Sequence, residues 1–547
     1  MKIVYTALFL IIVNNTIAQK KAHNTSSSDQ KVVIENPILK GFYPDPSICR
    51  VGEDYYLVTS SFEYYPGIPI FHSKDLAHWE QIGHVLDRPS QLNLDSVRVS
   101  GGVYAPTIRY HKGVFYVINT LIGKGGNYYV TATNPAGPWS DPIWISDAPG
   151  IDPSLFFDDN GKVYYTGNGR TAENSAESKK RHIWLQELDL ISKKLVGDKK
   201  IILVEGALHD AQSAEAPHLY KKDGYYYLFI AEGGTGDNHS VTVFRSKDIM
   251  GPYESNRKNP ILTHRNLGKS YPIACTGHAD LVETQNGQWW MVLLGVRPYG
   301  GFHYNLGRET FITPVQWEEG WPVVNPGVGK VLFKQAGPDL PIFRAKTISE
   351  KDDFNKDSLN FGWNFLRTPR NKFWSLQEKP GFLRMHLLPE NITELKSPAF
   401  IGRRQQDTSF EATCNMLFSP LAENEKAGMI LFMNNDFHFR FERVIKNGKG
   451  QLIITKRHAG IETILLTIPC EKTNLQLGVF ANGQQYGFKM ADEKGHWQTL
   501  LENVDGRTLS RTNAGGFTGT YISLYASSNG MPSKNFVDFD WFNYTQK

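Results

Sequence analysis

One phrase recurs five times in the first 330 residues, and it restricts the fold more than any other feature of the chain. Each copy has a polar or acidic residue, a short apolar segment, a turn with glycine and an aromatic-rich segment. A strand, a tight glycine turn and a second strand form a β-hairpin. Repeats of roughly 45–65 residues with about four strands each are typical of propeller blades. The copies are "YPDPSICRVGEDYYLVTS" from Tyr43, "YAPTIRYHKGVFYVINT" from Tyr104, "IDPSLFFDDNGKVYYTGNG" from Ile151, "EAPHLYKKDGYYYLFIA" from Glu215 and "HADLVETQNGQWWMVLLG" from His278.

The five copies predict an all-β chain that begins with a five-bladed β-propeller. Asp45, Asp152 and Glu215 stand where the innermost strand of a blade begins, and His278 has the same position in the fifth copy. Because the innermost strands line the central channel, we expect these side chains to meet at one end of it. The proline after each aspartate predicts an extended strand start that fixes the direction of the carboxylate. Asp-Pro is also a common turn element, but three acids at equivalent positions predict a site.

Three converging acids suit glycoside hydrolysis. One carboxylic acid protonates the leaving oxygen, while a carboxylate on the other face activates water or attacks the sugar directly. An inverting pair lies roughly 6.5–9.5 Å apart, and opposite walls of a propeller channel can supply that spacing. A third acid nearby raises the pKa of the general acid by repulsion between like charges.

These motifs resemble a known family. "FYPDPSI", "GIDPSLF" and "AEAPHLYK" resemble the three acidic motifs of glycoside hydrolase family 43, which has five blades and inverts the anomeric centre. "SSFEYYPG", "SGGVYAPTI", "LFIAEGGTGDNH", "LGRET" and the C-terminal half resemble its two-domain β-xylosidase/α-L-arabinofuranosidase branch. The resemblance implies that Asp45 is the general base, Glu215 the general acid, and Asp152 the residue that orients the acid and modulates its pKa.

The resemblance also implies roles for residues around the acids. Arg297 in "LLGVRP" would lie near them and hydrogen-bond sugar hydroxyls. His278 would contact a water-coordinated cation, often calcium, although a lone histidine is as often a satisfied polar core residue. No organic cofactor is implied. The substrate-binding positions are Arg297, Phe62, Tyr104, Ile151, Thr235 and Phe517.

Two of these positions depart from the usual β-xylosidase pattern. Tyr104 stands where a tryptophan is usual, and Ile151 stands where a phenylalanine is usual. Both positions flank the expected pocket, so the preference between xylose and arabinose stays open. The prediction is an inverting exo-glycosidase acting on plant hemicellulose. The alternatives are a narrow α-L-arabinofuranosidase and a non-catalytic sugar-binding propeller, although a pure binder has no use for a poised acid and base.

The second half of the chain predicts another β-domain. The propeller is predicted over residues 33–335. It is followed by a linker with glycine and proline over 336–350. Residues 351–547 contain segments in which apolar and polar residues alternate, separated by Asn/Gly turns. Period-two alternation without a long helix favours an antiparallel β-sandwich of the jelly-roll, concanavalin-like kind. A free-standing sandwich of this shape often binds carbohydrate. The family resemblance instead implies that Phe517 in "GGFTGTYISLY" caps the mouth of the active site, which would restrict the enzyme to chain ends.

The N-terminal sequence indicates where the protein is located, and the net charge limits the kinds of partner it is expected to bind. Residues 1–18 combine Lys2, an apolar run and a small-residue exit, which is typical of a secretory signal peptide. No cysteine follows the run to anchor a lipoprotein, so a secreted or periplasmic protein is predicted, with a disordered spacer over 19–32. The net charge of +4 and the lack of a basic stripe exclude nucleic acid as an expected partner. No membrane partner is expected, and the oligomeric state is undetermined.

Overall fold

A computed structural model describes residues 1, 31–170, 181–208, 213–492 and 494–547. The predicted signal peptide, apart from Met1, and residues 19–30 of the predicted spacer lie outside the described part. The last residue of that spacer does not fit the prediction, because Val32 is buried and its carbonyl accepts a hydrogen bond from Gly337 N at 2.9 Å. Among the described residues, no helix has the length and apolarity needed to cross a membrane.

The first part of the chain forms five antiparallel sheets, the blades I to V, as predicted. In each blade the chain runs from the innermost strand to the outermost one. The four main strands are Ser47–Val51, Asp54–Val58, Gly67–Ser73 and Glu80–Leu86 in blade I; Thr107–His111, Val114–Ile122, Gly126–Ala132 and Ile143–Trp144 in blade II; and Ser154–Phe157, Val163–Gly169, His182–Asp189 and Lys194–Leu203 in blade III. They are Glu215–Lys222, Tyr225–Glu232, Ser240–Ser246 and Glu254–Ser255 in blade IV, and Ala274–Glu283, Trp289–Val296, Glu309–Glu318 and Trp321–Val324 in blade V. Blade II also contains Gly102–Val103, and blade IV contains Leu262–Thr263.

The glycine turns and the N-terminal segment complete the ring. All five predicted turn glycines have a positive φ, which only glycine adopts without strain. The N-terminal segment runs along blade V, where Leu39 bridges to Thr310 and Asn36 exchanges hydrogen bonds with the backbone of Ile312 at 2.8 and 2.9 Å. Val33–Glu35 then pairs with Lys334–Ala336. These contacts fasten the segment that leads into blade I to the last blade.

The second part of the chain forms two large antiparallel sheets packed face to face, which confirms the predicted sandwich. Two short helical segments, Gly506–Leu509 and Arg511–Ala514, lie between the strands Trp497–Asp505 and Tyr521–Ser527. The first sheet contains, in spatial order, Trp374–Ser375, Leu383–His386, Phe536–Gln546, Ser409–Leu417, Asn474–Asn482, Gln485–Ala491 and Trp497–Asp505, with Lys351–Asp352 beside Phe536–Gln546. The second contains Ile461–Pro469, Lys449–His458, Phe437–Lys446, Lys426–Asn434, Tyr521–Ser527, Ala399–Arg404, Asn364–Leu366 and Tyr64–Tyr65.

The last strand of the second sheet comes from the propeller. Tyr64–Tyr65, which lies between the second and third main strands of blade I, pairs with Phe365 and Leu366. The sandwich therefore extends its sheet with a strand from the propeller half of the chain. Buried side chains from blades I and II and from both sandwich sheets share one apolar cluster, so the two halves pack through a continuous core.

Candidate active site

The three predicted acids open the innermost strands of three blades. Glu215 is the first residue of its strand, and Asp45 and Asp152 precede theirs by two residues. The prediction of an extended strand start is wrong at both aspartates, whose φ angles are 55° and 52°. Ala216, beside Glu215, has a φ of 50°. Such left-handed residues cost about 1–3 kcal/mol each and are concentrated at functional sites, where the surrounding fold imposes them.

Two of the three carboxyl groups are buried, and the third, that of Glu215, is half-buried. Asp45 is 3% exposed and Asp152 is 8% exposed. The charges of Glu215 and Asp45 both raise the pKa of Asp152, and the charge of Asp45 raises that of Glu215. Groups that lay on different faces of the molecule would be screened from one another. The three acids are therefore close enough for the charge of one to act on the pKa of another.

Asp45 is surrounded by groups that favour its charged form. Arg308 donates to both of its oxygens, at 2.6 and 3.2 Å, and Ser60 donates a hydroxyl hydrogen bond to Oδ2. His278 Nδ1 lies 3.7 Å from Oδ1. Burial by itself raises the pKa of Asp45, but Arg308, His278 and Ser60 together bring it below its ordinary value. Asp45 is therefore a carboxylate at neutral pH.

Asp152 and Glu215 have the opposite electrostatics. Burial, reinforced by the charges of Glu215 and Asp45, lifts the pKa of Asp152 well above its ordinary value. Burial also raises the pKa of Glu215, although Arg181, whose Nε lies 3.2 Å from Oε1, and Ser213 pull in the other direction. Two interacting acids titrate as a pair, so the raised values belong to the pair. This wall of the pocket retains a proton at a pH where Asp45 has lost its own.

The arginine beside the acids is Arg308, whereas the sequence pointed to Arg297. Arg297 forms a two-pronged ion pair with buried Glu309, at 2.7 and 2.8 Å, and donates to Gln406 O at 3.0 Å. None of these bonds involves the three acids. The arginine that pairs with one of the acids is therefore Arg308, in place of the predicted Arg297. Arg308 belongs to the "LGRET" segment that carries the family resemblance, and this was the signal that could have identified it.

An aromatic wall closes one side of the site. The ring of Phe517, from the sandwich, stacks on Phe62 with centroids 5.8 Å apart and meets Tyr104 edge-on at 6.3 Å. Phe62 and Tyr104 also contact each other at 5.2 Å. The guanidinium of Arg308 lies 5.5 Å from the ring of Phe517 and so links this wall to Asp45. Three predicted pocket residues are thus together, and one of them comes from the second domain.

A second contact between the domains lies on the other side of Phe517. Arg511 donates to the carbonyl and the hydroxyl oxygen of Thr235, in blade IV, at 2.8 and 2.9 Å. It also donates to Gly516 O at 2.6 Å and lies 5.5 Å from the ring of Phe517. Thr235 therefore fixes the capping segment through its own backbone and side chain. Sequence reasoning missed Arg511, which carries no motif of its own.

Ile151 and His278 lie next to the acids. Ile151 is half-buried beside Asp152, and its N–H donates to Asn168 Oδ1 at 3.2 Å. His278 is 7% exposed, and burial lowers its pKa. Calcium takes six to eight oxygen ligands. The described residues contain no group of three or more His, Cys, Asp or Glu side chains able to hold a metal, so they do not fit a directly bound ion at His278.

A charged network fills the channel further along the innermost strands. Asp280 accepts hydrogen bonds from Arg109 at 2.8 Å, from Ser47 at 2.5 Å and from the hydroxyl of Tyr220. Arg109 in turn lies 2.9 Å from His218 Nδ1. Burial raises the pKa of Asp280, but Arg109, His218 and Ser47 together outweigh it and the net shift is downward. These side chains tie blades I, II, IV and V together below the acids and stabilise the strand starts that carry them.

Comparison with known proteins agrees with this geometry. The family model described as "Glycosyl hydrolases family 43" matches residues 34–322, which covers the propeller. The chain belongs to this family. A second model, "Beta xylosidase C-terminal Concanavalin A-like domain", matches residues 351–545 and covers the sandwich. As a member of family 43, the chain is a glycosidase that hydrolyses O-glycosyl bonds.

Several relatives are similar over almost the whole chain. A xylosidase/arabinosidase from Butyrivibrio fibrisolvens is 48% identical, over 93% of this chain and 99% of that protein. A non-reducing end alpha-L-arabinofuranosidase from Bacteroides ovatus is 41% identical, over 93% of this chain and 94% of that protein. The crystal structure of a xylan beta-1,4-xylosidase from Bacillus halodurans is 37% identical, with a TM-score of 0.88 over 94% of this chain and all of that one.

Proposed function

We propose that this chain is an inverting, exo-acting glycoside hydrolase that releases terminal β-D-xylose or α-L-arabinofuranose from plant hemicellulose or its oligosaccharides. The family membership supports the reaction class. The names of the relatives, which are xylosidases and arabinofuranosidases, support the two sugars.

One observation carries the assignment of roles. The surroundings of the carboxyl groups separate their pKa values, downward for Asp45 and upward for Asp152 and Glu215. Neighbouring acids with separated pKa values are the arrangement by which enzymes assign a base and an acid at one pH. Asp45 therefore acts as the general base, Glu215 as the general acid, and Asp152 as the neighbour that raises the proton affinity of the pair.

The reaction follows from these roles. Asp45 takes a proton from a water molecule as that water attacks the anomeric carbon, and Glu215 gives a proton to the departing glycosidic oxygen. Arg308 keeps Asp45 ionised and aligned before the reaction. The Arg308 guanidinium and the Ser60 hydroxyl occupy hydrogen-bonding positions on Asp45, so the carboxylate reaches the water in one fixed orientation.

The cap accounts for exo action. Phe517 and Arg511 bring the sandwich against Phe62, Tyr104 and Thr235 of the propeller. A long polysaccharide that crossed the site in both directions would have to displace these side chains. A terminal sugar stacked on the aromatic wall would not.

The test is an assay of purified protein on chromogenic β-D-xylopyranoside and α-L-arabinofuranoside, with Glu215→Ala alongside. We expect hydrolysis by the wild type and its near loss in the variant. Proton NMR of the first-formed anomer should reveal inversion. Equal, background rates for both proteins would favour the sugar-binding alternative, and a retained configuration would contradict the assignment of Asp45 as a base.

A narrow α-L-arabinofuranosidase is the second candidate. Tyr104 contacts both Phe62 and Phe517, so the residue that departs from the usual β-xylosidase pattern lies in the aromatic wall itself. A smaller ring at that position alters the surface against which the sugar lies. Hydrolysis of the arabinofuranoside at least a hundredfold faster than the xylopyranoside would select this candidate.

The remaining parts of the proposal rest on the sequence. Residues 1–18 support export, so the protein is proposed to be secreted or periplasmic. No organic cofactor takes part in the mechanism, and no step uses a metal ion. A cation held through water near His278 stays a prediction, which metal analysis of the purified protein would test.

A further inference from the structure

Glu63 is a buried carboxyl group that the catalytic mechanism does not use. It is 1% exposed and directly follows Phe62, one of the three rings of the aromatic wall. Burial raises its pKa to about 7. Its Oε2 accepts a hydrogen bond from Ser100 N at 3.1 Å. A buried acid next to a ring of the aromatic wall requires an explanation, because burying a carboxyl group is unfavourable unless its contacts offset the lost hydration.

Ser100 connects Glu63 to the cap. Its hydroxyl oxygen accepts a hydrogen bond from Phe517 N at 2.8 Å. The contact is close, since a Cβ added at Gly516 would lie 2.5 Å from the same oxygen. Ser100 itself has a φ of 55°, a strained conformation that its neighbours must impose. Ser100 therefore accepts a hydrogen bond from the capping segment and donates one to Glu63.

The backbone around Glu63 joins three segments. Phe62 and Val103 exchange two backbone hydrogen bonds at 2.9 and 3.0 Å. The carbonyl of Glu63 accepts from Arg367 N, in the sandwich, at 2.8 Å. Glu63 therefore lies where blade I, the segment before blade II and the sandwich meet.

The charged groups that face Glu63 are engaged elsewhere. Arg367 and Arg98 both lower its pKa from a distance, and Tyr64 and Tyr521 are titratable neighbours whose pKa values the charge of Glu63 raises. The guanidinium of Arg367 donates to Val97 O, Lys396 O and Asn435 Oδ1. Arg98 donates to Val99 O and to the hydroxyl of Tyr104. The bond from Ser100 N is therefore a principal contact of the Glu63 carboxyl group.

We propose that Glu63 is a positioning residue that holds the capping ring of Phe517 over the sugar site through Ser100. This inference rests on the proposed function and goes beyond it, because it assigns control of the cap to a residue that does not touch substrate. Loss of Glu63 releases Ser100, and the cap then loses its bond on the blade II side while Arg511 still holds the other side. Sugar binding should weaken, whereas the acids are left as they are.

A double-mutant cycle separates this role from a general structural one. KM and kcat on the chromogenic glycoside are measured for Glu63→Ala, Phe517→Ala and the double variant. We expect Glu63→Ala to raise KM about tenfold, because the truncation leaves the N–H of Ser100 without its acceptor, and to change kcat less than threefold. In the Phe517→Ala background the same substitution should change KM less than twofold. An equal effect in both backgrounds would overturn the proposal.

Two further variants keep the test valid if Glu63→Ala folds poorly. Glu63→Gln keeps an oxygen acceptor for Ser100 N, so its KM should stay within about threefold of the wild type. Glu442→Ala is the matched control, since Glu442 is a buried acid in the sandwich, 4% exposed and paired with Arg440. It should lose stability without a change in KM. A KM as high in Glu63→Gln and Glu442→Ala as in Glu63→Ala would contradict a positioning role.

Failure of this inference can be told apart from failure of the proposed function. The same variants are titrated calorimetrically with D-xylose and with L-arabinose in the Glu215→Ala background, where no turnover is needed. Weaker binding in Glu63→Ala alone supports the inference even if hydrolysis of a given substrate is slow. Unchanged binding of both sugars contradicts it even if the wild type is an active glycosidase.

Discussion

The two walls of the pocket differ in the charged and polar side chains that surround their carboxyl groups. On one wall, Asp45 has an arginine at 2.6 Å, a serine hydroxyl and a histidine at 3.7 Å, and its pKa falls. On the other wall, Arg181 and Arg308 lower the pKa of Asp152, and Arg181 and Ser213 lower that of Glu215. Burial and the charges of neighbouring acids outweigh these contacts, and both pKa values rise. Burial is shared by both walls. The difference shows that the placement of counter-charges decides which acid ionises.

The largest effect on kcat is expected when the acid of one wall is replaced by its amide while the other wall is left unchanged. Asp45→Asn should lower kcat by about 10³–10⁴-fold, because general base catalysis contributes up to that factor. The loss should be the same for a good and a poor leaving group. Glu215→Gln should lose as much with a poor leaving group, such as a second xylose, but far less with a dinitrophenolate, which departs without a proton. Steady-state kinetics on the paired substrates measures both.

Two outcomes of the same kinetics would contradict the assigned roles. If Asp45→Asn is the variant whose loss depends on the leaving group, the two roles are reversed. If neither variant depends on it, the two-wall account of the acid and the base is wrong.

Removal of the counter-charge at Asp45 should give the next largest effect. Arg308→Ala should raise the pKa of Asp45 by roughly one to three units, because an opposite charge within contact distance lowers a carboxyl pKa by that amount. The acidic limb of the kcat/KM profile should move upward accordingly. Arg297→Ala is the control, since it also unpairs a buried acid, Glu309. Arg297→Ala should reduce the stability and leave the acidic limb in place. An equal upward shift of the acidic limb in Arg297→Ala would show that Arg297 also acts on Asp45.

Asp152→Asn should sharpen the comparison from the other side. The charge of Glu215 raises the pKa of Asp152, and repulsion between two acids acts on both of them, so removing Asp152 should lower the pKa of Glu215. The basic limb of the kcat/KM profile should move to lower pH by about one unit, and activity at pH 7 should fall about 10–100-fold. The acidic limb, set by Asp45, should hardly move. A pH profile from pH 4 to 9 tests this, and an unchanged basic limb would count against the role given to Asp152.

The smallest effect concerns stability. Glu63 has its pKa raised from 4.5 to about 7, so the folded state prefers its protonated form. Its contribution is therefore fully favourable below about pH 4.5 and is lost as the pH rises towards 7. Glu63→Gln, which cannot ionise, should melt about 2–4 °C above the wild type at pH 8 and close to it at pH 5. Calorimetry at the two pH values measures the difference, and a gap that is larger at pH 5 would contradict the sign.

The sequence predicted what repeats and little of what does not. Five glycine turns and three acids at equivalent strand starts recur in a fixed phrase, so the blades and the acidic centre could be derived from it. Phe62, Tyr104 and Phe517 came from the family resemblance and do lie together. Contacts between residues far apart in sequence, such as Phe517 with Ser100 or Arg511 with Thr235, leave no such signal.

The wrong predictions have local causes. Arg297 was predicted because "LLGVRP" resembles the family segment with the arginine, but in the structure Arg297 pairs with Glu309 and Arg308 pairs with Asp45. The proline after each aspartate suggested extended backbone, whereas the packing of the strand starts imposes a positive φ. Tyr64–Tyr65 was counted within the propeller because nothing in two tyrosines reveals a strand donated to another sheet.

Neutron diffraction from crystals kept at about pD 6.5 tests the difference between the two walls most directly, because it locates the deuterons on carboxyl groups. We predict nuclear density for a deuteron on the Asp152–Glu215 pair and none on Asp45, whose oxygens should accept from Arg308 and Ser60. A deuteron on Asp45, or none on the pair, would contradict the assignment of base and acid.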